Sequence, residues 1–238
     1  MNVQMTGRRC AIMQPTFLPW AGYFHLMAAV DVFVFLDDVK VVRQSWQTRN
    51  RILNCGQSQL VVLPVLGPDS QAIAEVHIDE RSGWRRKQLL TLRQTYARAP
   101  FGKAVVDALA PLYGDESLTL LADFNCAVIE RVARLLEIET PCVRSSILAP
   151  EGVRSARLLN LCRALDCERY LSPRGSMQYL EEDDVLEPAG LEVSYSAFEP
   201  GPYTQLGLPF VSHLCIVDVV AFLGFKAAAV YVRTGQAP

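Results

Sequence analysis

Between Cys10 and Leu36 the chain spells strand, turn, helix and strand within ~30 residues, the length of a βαβ unit. CAIMQ, residues 10–14, is a short apolar run ended by Pro15 and Pro19, so it reads as a buried strand entering a turn. AGYFHLMAAV after Trp20 has helical character to near Val30. DVFVFL, residues 31–36, is β-branched and aromatic and reads as a second buried strand. A helical crossover of this length implies parallel pairing, with the helix packed back on the sheet.

The rest of the chain extends that architecture. A polar loop is expected over 37–54, then a third strand in QLVVLPV, residues 59–65. Helical periodicity covers 82–98, 101–112 and 117–138, the last with Ser117 as cap and Leu121, Phe124, Val128, Val132 and Leu135 as one apolar stripe. Alternation resumes with strands at 142–148, 169–172 and 191–198, a helix capped by Ser155, and a final helix from Ser212 to about Phe222. The expected fold is α/β, a single three-layer Rossmann-like domain over 1–238 with a mostly parallel sheet. Its core would be 8–66 and 140–238, with a helical insertion at 82–138.

Composition removes several classes of function. The net charge of −2 gives the whole molecule no electrostatic claim on nucleic acid or an anionic membrane. No apolar run approaches the ~18 residues of a membrane span, and no secretory signal is apparent at the N-terminus, so a cytoplasmic protein with no membrane partner is expected. The seven cysteines are odd in number and show no CxxC spacing, which argues for reduced thiols and against a metal site.

The segment 14–52 concentrates the chemistry. In an open α/β sheet, ligands bind outside the carboxyl ends of the strands. There the chain places Gln14 after strand one, backbone N–H groups near Ala21–Tyr23 at a helix start, and Asp37 and Asp38 after strand two. An anion fits the helix start, and Gly22 would let it approach the backbone. Asp37 and Asp38 are candidate bases, and the Tyr23 hydroxyl a candidate donor. The loop beyond carries Arg43, Arg49 and Arg51, which can fork onto phosphate or carboxylate, with Trp46 able to stack on a base or sugar and Asn50 to position it. Trp20 completes the substrate-binding candidates. A plainer alternative makes Trp20, Tyr23 and Phe24 core aromatics and the two aspartates turn caps.

QPTFLPWAGYF, FLDDV and SWQTRNRI in this stretch resemble the signature of the WbqC-like family, as do 155–180, PYTQ at 202–205 and SHLCIVDVVAFLG at 212–224. The family is found among genes for surface polysaccharides and other small-molecule pathways. PTFLPWAGYFHLM is also similar in position to the HxGH turn of nucleotidyltransferases of the pantothenate-synthetase type. Trp20 and Tyr23 stand where that turn has histidines, and neither carries charge at neutral pH, so adenylyl transfer loses its usual donors.

Further candidates lie outside this segment. Arg81, Arg85, Arg86, Lys87, Arg93 and Arg98 form a basic stretch without acidic residues, suited to the backbone of an aminoacyl-tRNA or to a solvated helix face. Arg174 lies in SPRGS, residues 172–176, a turn suited to an oxyanion or phosphate. Ser212, His213 and Asp218 contain the residue types of a hydrolase triad, but their spacing argues against one, and Asp218 within an apolar run is expected to be buried and hydrogen-bonded.

Together these residues predict a transferase acting on a phosphorylated or nucleotide-linked small molecule, joining an amino-acyl or similar group to an amine or hydroxyl. The alternatives are an ATP-dependent ligase or nucleotidyltransferase, and a non-catalytic ligand-binding protein. No cofactor or metal is specified.

Overall fold

Apolar runs and helix-period segments alternate along the chain, and the structure follows that alternation. The computed structural model describes residues 7–68, 70–207 and 209–238. In chain order the elements begin with β1 (Arg8–Met13), α1 (Ala21–Ala28), β2 (Val32–Phe35), β3 (Arg49–Asn54) and β4 (Gln57–Val62). The helices α2 (Trp84–Thr95), α3 (Gly102–Tyr113) and α4 (Leu121–Leu135) follow. The remainder is β5 (Cys142–Arg144), α5 (Ser145–Leu148), α6 (Arg154–Ala164), β6 (Cys167–Ser172), α7 (Met177–Asp183), β7 (Glu192–Tyr195) and α8 (Ile216–Thr234).

The chain divides into two compact units. The first holds the described residues from 7 to 14, then Leu26–Leu36 and Thr140–Ala197. Its five-stranded sheet has the order β5-β2-β1-β6-β7 and is parallel throughout. Counted among the sheet's own strands this is 3-2-1-4-5, the Rossmann arrangement, and the fold is the expected three-layer α/β class. Parallel sheets need both faces covered. Accordingly Val32 and Val34 enter one core with Ile12, Leu158, Cys162 and Tyr170, while Phe33 and Phe35, alternating to the other face, are buried as well. Ser155 is not a cap: α6 starts after Val153, and the Ser155 hydroxyl donates to Asp183 at 2.6 Å.

The second unit holds Pro15–His25, Asp37–Glu139 and Phe198–Pro238. An aromatic cluster joins its helices, with Phe124 of α4 edge-on to Trp84 of α2 at 5.2 Å and to Tyr113 of α3 at 5.3 Å. Three expectations are revised here. The loop expected over 37–54 contains β3, and β4 pairs with it antiparallel in a separate two-stranded sheet. The segments 37–66 and 198–238, assigned from sequence to the Rossmann-like core, cluster with α2–α4. Finally, α8 runs past Phe222 to Thr234, its backbone broken at Gly224 (φ 77°), where a β-carbon would meet the Phe101 ring at 3.1 Å.

Candidate functional site

The turn before α1 is tied down by side-chain amides. Asn125, fully buried on α4, donates to the carbonyls of Pro15 and Gln47 at 3.0 and 2.9 Å. Asn50 donates to those of Phe17 and Leu18 at 3.0 and 2.8 Å, and its own oxygen accepts from the Arg51 N–H. Both N–H groups of Asn50 are thus spent on the turn. Its substrate-binding assignment gives way to a structural one, because a buried amide satisfied by two carbonyls has no donor left.

Gly22 is also corrected. A β-carbon there would lie 2.3–2.8 Å from the Trp20 indole, so the absence of a side chain makes room for Trp20 rather than for a ligand. The Tyr23 ring is 2 % exposed and packs edge-on to Phe24, the role of a core aromatic. Asp37 is fully buried, and its carbonyl accepts from the Ala74 N–H. Asp38 is half-buried and Arg43 exposed.

Arg49 and Arg51 share one face of β3, and Arg51 lies beside Trp46. Directly opposed residues of an antiparallel pair share a face, and Arg49 faces Val62 while Arg51 faces Leu60. The opposite face buries Asn50, Ile52 and Val61. The outer face therefore presents Arg49, Arg51, Leu60 and Val62, the two apolar residues 48 % and 53 % exposed. The Arg51 guanidinium lies 5.5 Å from the centre of the Trp46 ring, and Trp46 is half exposed. Arg51 donates to the His213 carbonyl at 3.3 Å, but its buried Nε has no hydrogen-bond partner among the described residues. Arg49 makes no hydrogen bond or ion pair among the described residues.

His213 was missed as a neighbour of this face because it is distant in sequence. Its ring lies 4.7 Å from Trp20, its Nδ1 is 2.9 Å from the Ser212 hydroxyl, and its backbone is left-handed at φ 57°. A non-glycine residue held there is a recurring mark of functional segments. Phe198 completes the group, packing against Trp20 and against His25, whose Nδ1 donates to the Val232 carbonyl. Nearby in sequence, fully buried Asp218 accepts from Tyr203 at 2.6 Å and Gln205 at 2.8 Å, as its place in an apolar run led one to expect. Burial pushes its carboxyl above the usual range, and the hydrogen bonds from Tyr203 and Gln205 oppose that shift.

Gln14 and Arg174 lie in the first unit. Gln14 follows the carboxyl end of β1, and Arg174 opens a 3-10 turn after that of β6. These adjacent parallel strands are where the strand order reverses, the point at which sheets of this class bind ligands.

Three of the six cations in the basic stretch face carboxylates outside it. Arg81 pairs with Asp79 and Arg85 with Glu80, and Arg93 lies 3.9 Å from Asp107. Arg85 also donates to the carbonyls of Leu112, Asp115 and Leu118, which makes it a fixture of the fold. Among the described residues, no helix is long and apolar enough to cross a membrane and no group of acidic, histidine or cysteine side chains is set to hold a metal ion.

The parallel strand order defines a Rossmann-like α/β protein. A family model for WbqC-like proteins matches residues 14–230, and the chain belongs to that family. It is 29 % identical over 223 residues to an uncharacterized protein of Mycobacterium tuberculosis, a match covering 92 % of this chain and 96 % of the relative. No solved structure matches it.

Proposed function

We propose that the chain is a transferase acting on a phosphorylated or nucleotide-linked small molecule, to whose amine or hydroxyl it joins an amino-acyl or similar group. The product would enter a surface polysaccharide or a specialised metabolite. The observation that carries this reading is the outer face of the β3–β4 hairpin, with Arg49 unpaired among the described residues and Arg51 beside half-exposed Trp46. The α-carbons of Arg49 and Arg51, at alternate positions of one strand, are roughly 7 Å apart, a spacing from which two guanidinium groups can converge on one phosphate. An exposed indole beside them suits the ring of a base or sugar. In this reading Asp38, half-buried, takes the proton of the acceptor, while fully buried Asp37 acts only by positioning.

The test is calorimetric titration with nucleotide sugars, coenzyme A and inorganic phosphate. Losing one charge-assisted contact costs about 1.5–3 kcal/mol, so Arg49→Ala and Arg51→Ala should each weaken the ligand by about one to two decades. Binding of an uncharged ligand alone would sink the reading. Binding without turnover of any donor would leave the ligand-binding alternative. A second reading, an ATP-dependent ligase or nucleotidyltransferase, is favoured by the 3-2-1-4-5 strand order with Gln14 and Arg174 at its switch point. Pyrophosphate or phosphate release from ATP, abolished in Arg174→Ala, would favour it over the first.

A further inference from the structure

We propose that the cleft at the tip of the β3–β4 hairpin binds a small monocarboxylate with an apolar body. The cleft encloses about 470 Å³, within the roughly 300–1,000 Å³ of small-molecule sites. Its apolar wall is Leu53 from the hairpin, Ala97 beyond the end of α2, Leu206 and Phe222. Tyr96 stiffens that wall, its buried ring edge-on to Phe222 at 6.3 Å. At the tip itself Cys55 and Gly56 turn the chain with left-handed backbones, φ 49° and 75°. Gly207 closes against this tip, where its φ of 113° and a β-carbon position only 3.1 Å from the Gly56 α-carbon both favour glycine.

Arg98 decides the ligand's charge. Among the described residues it is the one charged side chain lining the cleft, and it makes no hydrogen bond or ion pair with them. Arg81, Arg85 and Arg93, its neighbours in the basic stretch, all face carboxylates. A single guanidinium beside an apolar wall matches one carboxylate carried by a chain or ring. A phosphate dianion fits less well, because the C-terminal end of α2, at Thr95, adds negative potential that would oppose a second charge. The proposal shares no residue with the hairpin face of Arg49 and Arg51 and stands independently of the transferase reading.

Octanoate, phenylacetate, octan-1-ol and inorganic phosphate, titrated calorimetrically into the wild-type protein and Arg98→Gln, test it. At least one carboxylate should bind the wild type and lose tenfold or more in Arg98→Gln, while octan-1-ol should not distinguish the two proteins. Arg98 is exposed, so the variant should keep its far-UV circular dichroism. Cys55, an exposed thiol lining the cleft, localises the event, since the bound carboxylate should slow its alkylation by iodoacetamide. The proposal is overturned if neither carboxylate binds, if Arg98→Gln binds them equally well, if phosphate competes as strongly, or if saturating carboxylate leaves Cys55 alkylation unchanged.

Discussion

Asn50 holds Leu18 in a conformation that a leucine seldom adopts: its amide donates to the Leu18 carbonyl at 2.8 Å, and Leu18 sits at φ 44°. Such a backbone costs on the order of 1–3 kcal/mol and persists only where surrounding contacts over-determine it. The second Asn50 bond, to Phe17, and the two from Asn125 supply that constraint. The family-signature stretches QPTFLPW and SWQTRNRI are therefore joined to each other through side-chain amides.

Asn50→Ala should accordingly destabilise the protein by about 2–4 kcal/mol in urea unfolding, the cost of two buried carbonyls left without donors. Asn50→Asp should be no better, since it sets a carboxylate against those same carbonyls. A loss within ±0.5 kcal/mol, ordinary for a surface site, would show that the turn holds its shape without the clamp.

Gly22→Ala tests the close packing at the start of α1. The new methyl must displace the Trp20 ring, which also packs against His213 and Phe198. Overpacking of this kind costs about 1–3 kcal/mol. In a Trp20→Ala background the same substitution should cost much less, and a double-mutant cycle measures the coupling. Equal costs in both backgrounds would mean that glycine serves something other than the indole.

Asp218 gives a pH dependence of definite sign. Its folded carboxyl lies above the ordinary value because burial penalises the charged form. The stabilisation it contributes is complete below the unfolded pKa and is lost as pH rises through the folded one. Asp218→Asn keeps an oxygen for Tyr203 and Gln205 but cannot titrate. Its stability relative to wild type should therefore increase from acid to mildly alkaline pH, measured by urea unfolding across that range. A constant difference between the two proteins would show that the carboxyl does not change charge between the folded and unfolded states.

The central strands β1 and β2 were legible in the sequence because they are largely buried and read as apolar runs, as in CAIMQ and DVFVFL. RNRILN was not read as a strand because Arg49 and Arg51 alternate with Asn50, and a polar outer face hides the period. The Cys55–Gly56 turn was the available signal, since left-handed backbone at both central residues is what a two-residue hairpin needs, but Cys-Gly is a less familiar pair there than Asn-Gly. The last helix was expected to end near Phe222, whereas it continues as α8 to Thr234 across a break at Gly224. At the site, the sequence singled out Trp46, Arg49 and Arg51 by residue type. It could not show that Gly22 lies under Trp20 or that His213 adjoins Arg51, because both relationships are made by tertiary contact.

The basic stretch separates charge from structure. Arg85, with an 11 % exposed side chain, donates to three carbonyls, pairs with Glu80 and lies 5.0 Å from the Trp84 ring centre. Arg86 and Lys87, beside it in α2, are exposed. Arg85→Ala should therefore cost about 2–4 kcal/mol, by loss of charge-assisted bonds to carbonyls in the α3–α4 connection. Arg86→Ala and Lys87→Ala should each fall within about 0.5 kcal/mol of wild type. If the stretch instead grips the backbone of an aminoacyl-tRNA, Arg86→Ala with Lys87→Ala should weaken tRNA binding and flatten its dependence on salt, with folding unchanged. Failure of the wild-type protein to retard tRNA even at low salt would leave Arg85 as the one residue of the three with a role, and that role as the brace between α2 and the chain entering α4.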